Sequence, residues 1–150
     1  MSQSLSNILI HIVFSTAKRR PWLKSEFDSR LTAYFGRTLN QMNCPLIAVG
    51  VAPDHVHLLV RQHRTISVSD IVRKLKVGSS KMLKMGCGGL SDFAWQKGYG
   101  SFSIGISSQK SAVDYIQQQR AKHESTEYKD EYLRLCQRYQ VPFDPEYMWD

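Results

Sequence analysis

The chain has 150 residues, 42% of them hydrophobic and 22% charged, ordinary globular composition for a single domain over residues 1–150. Against 13 Asp and Glu stand 20 Lys and Arg, and the net charge of +7 favours a polyanionic partner, nucleic acid before an anionic membrane surface. Cys44, Cys87 and Cys136 make no CxxC pair and no disulfide framework, so a reducing, cytoplasmic setting is expected, and the apolar run over 8–14 falls far short of the ~20 residues of a membrane span.

Residues 7–15 read as a first strand, with Ile8, Ile10, Ile12 and Phe14 on one face and His11 on the other. A basic loop follows at Lys18, Arg19 and Arg20, where Pro21 opposes a helix. Residues 25 to about 42 carry Phe27, Leu31, Tyr34, Phe35 and Leu39 at helical spacing. Residues 44–51 form a second expected strand. Pro53-Asp54 is a short break, and a third strand containing His55 and His57 runs to about Arg61.

Ser67 and Asp70 resemble a capping box opening a helix. That helix would bury Val68, Ile71, Val72, Leu75, Ser79, Met82 and Leu83, and present Arg73, Lys74, Lys76, Lys81 and Lys84 on its other face. Residues 93–96 and 101–106 look like two strands around a turn at 97–100, and helices are expected over about 109–124 and 127–139. This order suggests an α+β domain, one mainly antiparallel sheet with helices packed on it.

His55 and His57 alternate along a strand and so point to the same face. Two neutral imidazoles can hold a divalent metal, but they are too few for a closed structural zinc site, so a bound ion would keep open positions. Satisfied sheet histidines are the plain alternative. A histidine-triad nucleotide hydrolase would need a third alternating histidine, where this chain has Leu59. Tyr115 and Gln119 share one helix face, one a candidate nucleophile if a metal assists, the other a neutral oxygen ligand; half-buried packing and solvation are their ordinary roles. His123 lies one turn beyond Gln119 on roughly the same side, a candidate for contact with the metal or a DNA phosphate, or simply a solvated histidine. The cations Lys18, Arg19, Arg20, Arg73, Lys74, Lys76 and Lys81 are candidates for phosphate contact, or simply solvated surface.

Together the stretches 53–59, 79–80, 95–103, 113–119 with His123, and 143–147 resemble the small single-tyrosine HUH transposases of the insertion sequence 200/605 type. The resemblance implies a ferredoxin-like or RRM-like antiparallel sheet with helices on one face and a helical C-terminal segment, and a homodimer. It implies Mg²⁺ or Mn²⁺ held by His55, His57 and Gln119, with Tyr115 as the nucleophile on single-stranded DNA bearing hairpin ends. The chain departs from many relatives at Gln118, at Lys122-His123 and at Val77-Gly78, none of which is a catalytic group. DNA transposition through a 5′-phosphotyrosine is the expected activity. Processing of chromosomal repeat hairpins by a domesticated relative, a noncatalytic nucleic-acid-binding module and a water-using phosphohydrolase are the alternatives.

Overall fold

A computed structural model of the chain describes residues 2–86, 88–119, 127–146, 148 and 149. The elements run β1 (Ile8–Ser15), α1 (Asp28–Gln41), β2 (Leu46–Val51), β3 (His55–Gln62), α2 (Val68–Gly86), β4 (Gly100–Ile104), α3 (Gln109–Gln117) and α4 (Tyr128–Arg138). The strands pair antiparallel in the order β2-β3-β1-β4. This βαββαβ connectivity is the ferredoxin-like split βαβ, and the α+β expectation holds.

Alternation along the strands divides the protein into two faces. Ile10, Ile12 and Phe14 of β1 join Val56, Leu58 and Val60 of β3 in a continuous apolar core with Leu31, Phe35 and Leu39 of α1 and Ile71, Leu75 and Leu83 of α2. The other face carries Leu9, His11 and Val13 from β1 and His55, His57 and Leu59 from β3. Helices α3 and α4, the C-terminal helical segment, cover it through Ile116, Tyr132 and Leu135.

Local signals explain most element ends. The Asp70 N–H donates to the Ser67 hydroxyl across 3.1 Å, the expected N-cap of α2. Helix α1 stops where Asn43 takes a left-handed φ of 58°, and Cys44 N–H returns to Leu39 O at 2.9 Å. The interface of α1 and α2 depends on Gly78, because a Cβ there would collide with the Tyr34 hydroxyl.

The expected hairpin over 93–106 does not form. Residues 101–104 lie in β4, but 93–96 make only an isolated bridge between Trp95 and Thr16. The aromatic residues that suggested a strand are core anchors instead. The Trp95 ring sits edge-on to Phe14 and Phe93, and its indole N–H donates to Ser79 Oγ at 2.9 Å. The next carbonyls, of Gln96 and Gly98, accept from Lys76 Nζ at 2.8 and 2.7 Å, which takes them away from any ladder. Among the described residues no helix is long and apolar enough to cross a membrane.

Candidate active site

Strand β3 places His55 and His57 side by side on the second face, with ring centroids 5.1 Å apart, both buried. In register, His57 pairs with Val13 of β1 and Gly50 of β2, and His55 with Ser15. His11, opposite Leu59, is therefore a diagonal neighbour of His57, and its Nε2 lies 2.7 Å from His57 Nδ1.

Gly50 brings the tyrosine helix down onto this face. A Cβ at Gly50 would strike the carbonyl oxygen of Ile116 and lie 2.9 Å from Gln119 Cγ. With hydrogen there instead, α3 settles against β2 and β3, and Ile116 is wholly buried. The Tyr115 ring then stands edge-on to His57 at 5.7 Å and to His11 at 6.2 Å. Tyr115 thus meets the histidines of its own chain. Gln119, just past α3, points its Oε1 at His55 Nε2 across 3.2 Å and donates from Nε2 to Tyr115 O at 3.3 Å.

Glu131 of α4 joins them, a residue that the sequence reading passed over. Its Oε1 is 2.7 Å from His57 Nε2 and 3.3 Å from His55 Nε2. One donor atom from each of His55, His57 and Glu131 lies within 4.8 Å of the others. Tyr115 and Glu131 line the same cavity, and the carboxylate acts on the phenol. A signal for Glu131 exists in the sequence: it occupies a core-facing position of α4 beside Tyr128, Tyr132 and Leu135, where an unpaired acid would be costly.

The protons at this site argue for a cation. A neutral imidazole has one N–H and one lone pair. His55 faces Asp54 Oδ1 at 2.7 Å from Nδ1 and Glu131 Oε1 from Nε2, a carboxylate at each nitrogen. If His55 were neutral, one lone pair would aim at a carboxylate, which is favourable only with a cation between them. Burial alone would lower the His55 pKa, but the bonds to Asp54 and Glu131 outweigh it and push it up to about 9. A proton therefore stands where a metal ion would otherwise balance the charge. Burial would likewise raise Glu131, yet its hydrogen bonds to His55 and His57 hold it well below the usual carboxylate range.

Burial and the adjacent His57 depress His11 to about 3, so it stays neutral and can accept from His57 Nδ1–H. Asp54 can do the same for His55. Both Nε2 lone pairs would then face the Glu131 carboxylate, the outer-shell arrangement that orients metal-binding histidines. The donor set fits a divalent ion held by His55, His57 and Glu131, with Gln119 Oε1 beside them. Burial first, then the nearby Glu131 charge, raise the Tyr115 pKa, so its phenol is protonated at neutral pH.

The basic residues divide into separate groups. Lys18, Arg19 and Arg20 follow β1, and Thr16 ties that loop to Asp54 through N–H to O at 2.8 Å, beside His55. Lys18 and Arg19 adopt φ of 55° and 54°, left-handed values uncommon outside glycine. Arg73, Lys74 and Lys81 are exposed on α2, across the sheet from the histidines. Lys76 is half-buried, its ammonium donating to the carbonyls of Gln96 and Gly98, and burial lowers it to about 8. His123 lies outside the described residues.

Comparisons with known proteins identify the family and the fold. The family model described as "Transposase IS200 like" matches residues 4–119. A crystal structure of a transposase from Deinococcus radiodurans R1 superposes with TM-score 0.63 at 21% identity, covering 80% of this chain and 98% of that one. A REP-associated tyrosine transposase bound to a REP hairpin gives 0.59 at 21% identity, covering 82% and 74%. No curated protein matches the chain. With a family model spanning more than three-quarters of its length and the candidate site buried under its tyrosine helix, the chain belongs to the IS200-like transposase family.

Proposed function

We propose that this transposase cuts and rejoins single-stranded DNA through a 5′-phosphotyrosine on Tyr115, beside a divalent ion, Mg²⁺ or Mn²⁺, held by His55, His57 and Glu131 with Gln119 adjacent. One observation carries the reading: the Tyr115 ring stands against His57, and Glu131, which faces both histidine Nε2 atoms, lines the same cavity as Tyr115. A bound ion would supply Lewis-acid stabilisation of charge developing on the scissile phosphate. The chain's own groups do the rest. Glu131 is the base in the same cavity as the phenol, so the proton has a path away from Oη as that oxygen attacks phosphorus. The P–O3′ bond breaks and the leaving oxygen takes a proton as a free 3′-OH. The retained phosphotyrosine ester keeps the bond energy for a later 3′-OH to attack, which joins strands without ATP. Asp54 and His11 fix the tautomers of His55 and His57 from behind.

Hairpin-bearing single-stranded DNA is the proposed substrate, supported by the resemblance and by the similar fold solved on a REP hairpin. That same neighbour favours a second reading, in which identical chemistry processes chromosomal repeat hairpins rather than the ends of a mobile element. A homodimer is part of the proposal through the resemblance.

The decisive experiment mixes the protein, Mg²⁺ and hairpin-bearing single-stranded DNA, and looks for a covalent adduct on a denaturing gel. The wild type should give one, and Tyr115→Phe should bind the DNA but give none. An adduct that survives in Tyr115→Phe assigns the nucleophile elsewhere, and cleavage with no adduct in the wild type means that water attacks.

A further inference from the structure

A cavity of about 750 Å³ opens between α3 and α4, beside Tyr115 and Glu131. Arg134 and Arg138 also line it, one helical turn apart on the same face of α4. Both are exposed, and among the described residues neither has a carboxylate partner. Glu131 is the sole acid among the described lining residues, and it is the one turned toward the histidines. The cavity is therefore cationic along its rim and carries the nucleophile within.

Tyr139 gives its lining an aromatic surface. The Tyr139 ring stacks on Phe102 with centroids 5.0 Å apart, and the Arg138 guanidinium lies over Tyr139 at 5.7 Å. Flat aromatic and guanidinium surfaces of this kind are what unpaired bases stack on. The volume lies within the ~300–1,000 Å³ of ordinary ligand pockets, too small for a duplex and sufficient for a nucleotide unit.

We propose that this groove is the binding site for the single-stranded segment flanking the scissile phosphate, with Arg134 and Arg138 contacting its phosphates and the Arg138–Tyr139 stack receiving a base. Arg134 lines the same cavity as Tyr115, on the face of α4 that also carries Glu131. The site rests on the strand chemistry proposed at Tyr115, and it adds residues from α4 that no spacing in the sequence tied to DNA.

The test measures binding apart from chemistry. In the Tyr115→Phe background, a fluorescent single-stranded oligonucleotide without a hairpin is titrated across a range of salt concentrations against Arg134→Gln, Arg138→Gln and the double variant. Each single change should weaken binding several-fold and the pair roughly tenfold, and each lost contact should flatten the log–log salt slope by about 0.7. Arg37→Gln, exposed on α1 across the sheet, is the control and should change neither. Unchanged affinity and slope in the double variant, with its thermal unfolding intact, would overturn the groove. An equal loss for duplex DNA of the same sequence would overturn it too. Adduct formation by the protein with Tyr115 intact reports separately on the chemistry: an adduct with no effect of the arginines defeats only the groove, and arginine effects with no adduct defeat only the phosphotyrosine.

Discussion

The two faces of one sheet are built by opposite rules. Toward α1 and α2, β1 and β3 present aliphatic and aromatic groups until Gln62 at the end of β3, and the buried polar atom of Ser79 is satisfied by Trp95. Toward α3 and α4, the same two strands present His11, His55 and His57, and α4 adds Glu131. The first face is stabilised by area removed from water, which needs no precise geometry. The second buries polar groups that must each find a partner at hydrogen-bond distance, and those partners arrive from four elements. Packing is delegated to one side of the domain so that chemistry can be built on the other.

The separation is broken most forcefully from the packing side. Phe14 is wholly buried against Trp95 and its ring faces the α2 core. Phe14→Ala should cost about 3–5 kcal/mol of stability through lost transfer energy and a cavity. Chemical denaturation should show a lower midpoint. The molecules that remain folded should still form the tyrosine adduct at close to the wild-type rate, because no atom of the second face is removed. If the adduct rate per folded molecule collapses, the faces are coupled through the sheet and the division is false.

A smaller change attacks the other face without emptying any core. Gly50→Ala adds one methyl group where the Ile116 carbonyl passes, so α3 must lift. Tyr115 and Gln119 ride on that helix, and a displacement near 1 Å is enough to cost about 100-fold in a positioned reaction. Adduct formation in single-turnover assays should fall by about that factor, while the unfolding midpoint moves much less than in Phe14→Ala. A normal rate in Gly50→Ala would show that the contact of α3 with Gly50 does not position Tyr115.

The unequal legibility of the two faces in the sequence follows from the same contrast. Period-two runs in β1 and β3 and the helical spacing of Leu31, Phe35 and Leu39 announce the apolar face, because burial of area leaves a periodic trace. The alternating pair His55 and His57 is visible for the same reason. Tyr115 and Gln119 stood out by resemblance, since their own helix shows nothing that separates a nucleophile from a packing tyrosine. Glu131 reaches His57 from 74 residues away, and no local spacing predicts a partner at that separation. Phe93 and Trp95 misled because β-prone aromatics are equally suited to anchoring a loop, and tertiary packing decided between the two. The carbonyl partners of Lys76 belong to that same loop, so its half-buried place is equally invisible in the helical spacing.

The gentlest probe is the proton. His55 titrates near 6.5 when unfolded and near 9 in the fold, so the folded state binds the extra proton between those values. Its contribution to stability is fully present below pH 6.5 and is lost as pH rises through 9. Lys76, on the first face, runs the other way: lowered from 10.5 to about 8, it makes the fold more stable as pH climbs from 8 toward 10.5. His11, depressed from 6.5 to about 3, matters only below pH 6.5. Between pH 6.5 and 8 the histidine of the second face therefore dominates. In chelator, Tm should drift downward by a few degrees over that range, and His55→Gln should flatten the drift. With saturating Mn²⁺ the drift should reverse, because an ion must displace the His55 proton and does so more easily as pH rises. A metal-free Tm that is level from pH 6.5 to 8 would mean that His55 carries no proton there, and that its two carboxylate neighbours are balanced by something other than the charge on its ring.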